Sequence, residues 1–129
     1  MGEGVLGINP TPPVFVIDGL DVGVFKSIED AVLQLEPVDV NRGEYSAYDG
    51  EGRSLRLAVD GSKVTAHLAE AKASHADELS VALREFLKAM GEKTADDPGC
   101  DLPCLVEASR TFMYSPPRLW PFRKRSGRA

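Results

Sequence analysis

Long apolar runs are missing from this chain. Nothing in its 129 residues approaches the ~20 apolar residues that a membrane-spanning helix needs. The start of the chain also lacks the basic stretch and apolar block of a secretory signal. Both absences lead to the expectation of a cytoplasmic protein. Cysteine is scarce too. Cys100 and Cys104 are the only two, too few for a disulfide framework and in keeping with a reducing compartment. His67 and His75 are the only histidines, and they share no metal-ligand spacing with each other or with the cysteines. A nucleophile elbow, a calcium loop and a phosphate-binding glycine loop are all lacking. Gly50, Gly52 and Gly61 fall in expected hairpin turns rather than between a strand and a helix. The chain is therefore read as non-catalytic, with no cofactor.

What is present is an uneven distribution of charge. The net charge of −5 divides into −10 over residues 1–117 and +5 over residues 118–129. Such asymmetry bears on partners and association rates rather than on fold.

The local patterns give an α+β protein. Residues 1–13, rich in Gly and Pro, read as a flexible lead-in. Val14–Ile17 is a β-branched and aromatic run, a buried strand by composition. Val22–Phe25 is either its hairpin partner across Asp18–Asp21 or a non-strand approach to a helix; both remain open. Ser27–Glu36 has Ile28, Ala31, Val32 and Leu35 on one helical face, a Ser27/Asp30 capping pattern, and Pro37 as its stop. Val38–Gly43 reads as a connection. Residues 44–68 read as a three-stranded antiparallel meander: Glu44–Tyr48, then Ser54–Asp60 and Lys63–Leu68 across an Asp-Gly turn. A second helix follows, capped by Ser74 or Asp77, with Leu79, Leu83, Phe86 and Met90 as its apolar line. A third begins at Leu102–Pro103 with Asp101 as cap and stops at Pro116. The expected architecture is an antiparallel sheet, the meander plus one or two N-terminal strands, packed against two or three helices. It forms a single domain over 14–117, followed by a basic tail over 118–129 that is disordered or folded back on the acidic body.

Three sets of residues invite a functional reading. The first is the run of carboxylates in the first half, with Glu29, Asp30, Glu36, Asp39, Asp49 and Glu51 as the candidate docking surface for a basic protein. The bland alternative is a solvated acidic face. The second is the C-x-x-x-C pair Cys100/Cys104, half of a zinc site or a reactive thiol pair near a helix start, against structural or incidental thiols. With nearby carboxylates it carries the alternative of a small metal-binding or enzymatic protein. The third is the tail, where Arg118, Arg123, Lys124 and Arg125 interleave with Trp120 in a pattern suited to nucleic acid or an anionic membrane. The strongly acidic body argues against nucleic acid. His67 and His75 read as surface residues.

The segment from Val22 to Leu57 carries the pattern VF-x-S-x-EDA-x-x-x-LEP-x-DV-x-x-GEY-x-x-YD-x-EG. It resembles small bacterial α+β proteins that act as immunity partners of secreted polymorphic toxins. The resemblance covers a quarter to a third of the chain and transfers no individual residue role. It implies a non-catalytic protein-binding module whose partner is a toxin domain, and the acidic body adds the expectation that this partner is cationic.

Overall fold

The computed structural model describes residues 9–114. Residues 1–8 and the basic tail with Arg118, Trp120, Arg123, Lys124 and Arg125 lie outside the described residues. The fold is α+β: a five-stranded antiparallel sheet packed against helices. In chain order come β1 (Val14–Asp18), β2 (Asp21–Phe25), α1 (Ile28–Val32), α2 (Pro37–Asn41), β3 (Ser46–Tyr48), β4 (Ser54–Asp60), β5 (Lys63–Leu68), α3 (Ala76–Ala89) and α4 (Leu102–Ser109). The strand order is β2-β1-β3-β4-β5.

Both N-terminal runs are strands, and they form a hairpin in which Val14 faces Phe25 and Asp18 faces Asp21. Strand β1 then pairs β3 on its other side, from Phe15–Tyr48 to Ile17–Ser46. Alternation within β1 sends Val14 and Val16 to one face and Phe15 and Ile17 to the other, and both faces are buried. Val14, Val16, Phe25, Ala31, Leu35, Ala47, Leu55, Val64 and Leu68 make one core beneath α1 and α2. Phe15, Val22, Val24, Leu79, Leu83, Leu87, Leu105 and Val106 make the other beneath α3 and α4. A continuous apolar strand such as Val14–Ile17 is what burial on two faces requires. Leu79, Leu83 and Leu87, spaced four apart, form a stripe along α3 with no exposed surface; full burial of a leucine stabilises by roughly 1.5–3 kcal/mol.

Of the helix expected over Ser27–Glu36 only Ile28–Val32 is helical, and a second short helix begins beyond it at Pro37. The Ser27 hydroxyl accepts from the Asp30 N–H at 3.1 Å and starts α1, which ends at Val32. Pro37 then serves as the first residue of α2, where its missing N–H is no loss. The supposed connection after Pro37 is thus partly helical, and Leu33–Glu36 joins two short pieces. Helix α4 begins as expected: Asp101 Oδ1 accepts from the Cys104 N–H at 3.3 Å, and a proline occupies the first turn. Helix α3 differs. Neither Ser74 nor Asp77 caps it; His75 occupies the N-cap position without a side-chain cap bond.

Residues 9–13, read as part of a flexible lead-in, are bound into the domain. Asp49 is wholly buried, and Oδ2 accepts from the Thr11 N–H at 3.0 Å and from Arg53 Nε at 2.8 Å. Its Oδ1 accepts from the Glu51 and Arg53 N–H groups. Arg53 also reaches the Asn9 carbonyl at 3.3 Å and the Thr11 hydroxyl at 3.0 Å. The turn holding this knot needs two glycines. A Cβ at Gly50 would lie 2.7 Å from the Pro12 carbonyl oxygen, and one at Gly52 (φ +89°) would lie 2.5 Å from Ala76 Cα. Gly52 thereby lets the turn rest against the start of α3, where its carbonyl accepts from the His75 N–H at 3.1 Å.

Candidate functional site

The six carboxylates proposed as a docking surface separate in the structure. Glu29 and Asp30 lie in the first turn of α1, Glu36 is the N-cap of α2, and Asp39 is in the first turn of α2. These four share one helical pair. Asp49 does not belong with them: buried and saturated with donors, it is a structural ligand of Arg53 and the 9–11 segment and has no surface to offer a partner. The Asp-Gly turn signal suggested exposure, and Thr11 turned the carboxylate inward. Glu51 is exposed but accepts from the Thr11 hydroxyl at 2.9 Å, at the knot rather than beside α1. Asp30 approaches Lys26 at 3.9 Å, a surface pair. Between the acids, Leu33 and Val38 stand 71% and 53% exposed.

Cys100 and Cys104 are joined by a disulfide, with their Cα atoms 5.2 Å apart. Neither sulfur is then a thiolate ligand, and the expectation of free thiols gives way to a covalent tie at the head of α4. Cys100 is buried in the α3–α4 core. Arg84 holds the loop before it by donating to the carbonyls of Ala95 (2.7 Å), Asp97 (3.0 Å) and Cys100 (2.6 Å). Among the described residues, no group of three or more His, Cys, Asp or Glu side chains could hold a metal ion.

A second cluster that local sequence reasoning missed, after the Asp49–Arg53 knot, centres on His75. Its Nδ1 lies 2.7 Å from Glu70 Oε2, its Nε2 lies 3.8 Å from Glu78 Oε1, and its ring centroid is 5.9 Å from that of Tyr48. Glu70 accepts in addition from the Ser74 hydroxyl and from the Ser54 N–H at 2.7 Å. The Ser74 hydroxyl above all, with the Ser54 N–H and His75, holds the Glu70 carboxyl down at about 2. The hydrogen bond to Glu70 in turn raises His75 above its ordinary value. His75 is thus a paired group and not the neutral surface imidazole expected. The signal was local: Glu70, Ser74 and His75 lie within one short loop.

His75, Glu78 and Tyr48 of this cluster line a cleft of about 500 Å³, whose walls also include Tyr45, Ser46 and Leu57. The Tyr45 hydroxyl donates to Asp39 Oδ2 at 3.2 Å, which links the cleft to α2. Burial first, and then the Asp39 charge, push the Tyr45 phenol well above its usual range; burial does the same, less strongly, to Tyr48. Both tyrosines therefore act as neutral hydroxyls at physiological pH. In a paired imidazole, two phenols and an open carboxylate, the cleft has the means to bind polar or cationic groups. Ser74, the hydroxyl nearest His75, is 3.5 Å from Nδ1 and bonded to the same carboxylate, so it is not poised as a nucleophile activated by Nε2.

The chain matches no protein-family model, no curated protein and no solved structure. No helix among the described residues is long and apolar enough to cross a membrane.

Proposed function

We propose that this chain is a non-catalytic protein-binding module of the immunity type, which neutralises a cationic partner by docking it on its acidic surface. The observation that supports this reading is the α1–α2 pair. It carries Glu29, Asp30, Glu36 and Asp39 in the same short stretch as the exposed side chains of Leu33 and Val38. Apolar groups bordered by charge of one sign are the makings of an interface: burial supplies affinity, and the carboxylates steer an oppositely charged partner. The reading also places the protein in the cytoplasm. There the Cys100–Cys104 bond would be held reduced, whereas an oxidising compartment would preserve it.

Capture of partners from native lysate, with wild type and a Glu29→Lys/Glu36→Lys variant at low and high salt, tests the reading. A basic toxin domain is expected on wild type, with affinity about tenfold weaker after charge reversal and weaker again at high salt. A partner held equally by both proteins, with no salt dependence, overturns it.

A further inference from the structure

Between β3 and β4 the sheet comes apart. They share only Ala47–Leu55 and Tyr48–Ser54, whereas β4 stays paired with β5 from Leu55 to Asp60. The two-residue loop after Asp60 makes Asp60 and Lys63 a hydrogen-bonded pair. By alternation Ala58 and Arg56 then direct their backbone groups at β5, and Leu57 and Val59 direct theirs away from it. The bond from the Ala69 N–H to the Ser54 carbonyl, 2.9 Å, keeps that phase. Leu57 and Val59 therefore turn a donor and an acceptor each towards the side β3 has left, with no backbone partner there among the described residues. Buried or half-buried backbone groups of this kind require a partner from water or from a ligand.

We propose that this cleft receives an extended, basic segment of the protein partner, which adds a short strand along Leu57 and Val59 and sets an arginine or lysine side chain between Glu78 and the Tyr48 ring. The inference rests on the cationic-partner reading above and names the place where that partner is gripped. Three observations carry it. The strand edge is open at Leu57, which lines the cleft, and at Val59 just beyond it, and an open edge is the template that strand addition uses. The volume falls in the ~300–1,000 Å³ range of ligand-sized clefts. The charge beside the cleft is negative: His75 and Glu78 line it, and even with His75 protonated, Glu78 and the Glu70 that His75 contacts leave that trio at −1. Glu78 is 67% exposed, and its ion-pair contact with His75 is a distant 3.8 Å, so it keeps capacity for a second cation. A cation set against the Tyr48 face gains further from the ring's quadrupole.

Amide spectra of the full chain, titrated with a blocked pentapeptide alternating valine with arginine and lysine, test the proposal. Shifts are expected at Tyr45–Tyr48, Leu57 and Val59. Binding is expected to weaken about tenfold in Glu78→Lys, and by a similar factor for a peptide N-methylated at alternate residues, which cannot pair with the edge. Shifts confined to α1 and α2 would overturn the cleft while leaving the acidic-face reading standing. No shift at Leu57 and Val59, or an equal response to the same peptide with glutamate in place of the cations, would also overturn it. Failure of the acidic-face reading itself shows separately, in capture that ignores charge reversal on α1 and α2.

Discussion

Two carboxylate–cation pairs sit within one stretch of this chain, and they do opposite work. Asp49 and Arg53 are buried, 2.8 Å apart, and both carboxylate oxygens and the Arg53 Nε and Nη2 groups have partners within the protein. Glu70 and His75 make a contact of 2.7 Å but are partly exposed, with the imidazole lining an open cleft. Burial separates them. A charge pair withdrawn from water must be completed by the protein, and once completed it fixes geometry. A pair left at the surface contributes little stability and stays available to whatever approaches.

The largest effect should come from breaking the buried pair. Asp49→Asn leaves the Arg53 guanidinium short of its counter-charge inside the fold, and a loss of about 3–5 kcal/mol is expected in urea denaturation. A loss below about 1 kcal/mol, the level of surface pairs, would mean that the two pairs do not differ as described. A second, covalent tie lies between these extremes. Opening the five-residue loop closed by Cys100 and Cys104, by reductant or by Cys100→Ser/Cys104→Ser, is expected to cost about 2 kcal/mol through chain entropy. Thermal melts with and without reductant measure it, and the double variant should melt identically in both.

The smallest effect belongs to the exposed pair, and it should depend on pH. The folded-state value of His75 is raised above its ordinary 6.5. Its contribution is therefore complete below that value and is lost as pH rises through the raised one. Glu70 is held at about 2 against an ordinary 4.5, so its contribution is present above 4.5 and is lost as pH falls towards 2. Together they contribute most between about pH 4.5 and 6.5. His75→Gln should cost ~0.2–1 kcal/mol in that window and little at alkaline pH. A cost that stays constant with pH would show that His75 acts through packing alone.

The legibility of the sequence followed the range of the interactions. The β4–β5 hairpin could be read from Leu55, Leu57, Val59 and Val64, because alternation and a glycine turn are local. The Asp101 cap was equally plain. Pro37 was ambiguous, since proline both stops one helix and starts another. Asp49 misled for a different reason. Its turn chemistry was visible, but the Thr11 N–H that draws the carboxylate inward lies thirty-eight residues away. The cleft was invisible because it arises from a divergence: nothing in Tyr45 or Leu57 announces that β3 and β4 will separate after two pairs. The four acids of α1 and α2 were found as residues, but Leu33 and Val38 between them were not singled out. Leu33 falls where the first helix has already ended, and Val38 falls in a helix where the sequence reads as a connection.

One feature at the far edge of the sheet bears on how the chain is made. Strand β2 is flanked by Met113, which runs parallel to it opposite Val24, and the Tyr114 N–H donates to the Val24 carbonyl. On a ribosome the β1–β2 hairpin emerges early, yet its outer edge cannot be sealed until Met113 and Tyr114 have followed. Until then Val22 and Val24 border a bare strand edge, open to pairing with neighbouring nascent chains. Cutting the protein before Met113 would make that passing exposure permanent, and the expected result is self-association rather than simple loss of stability.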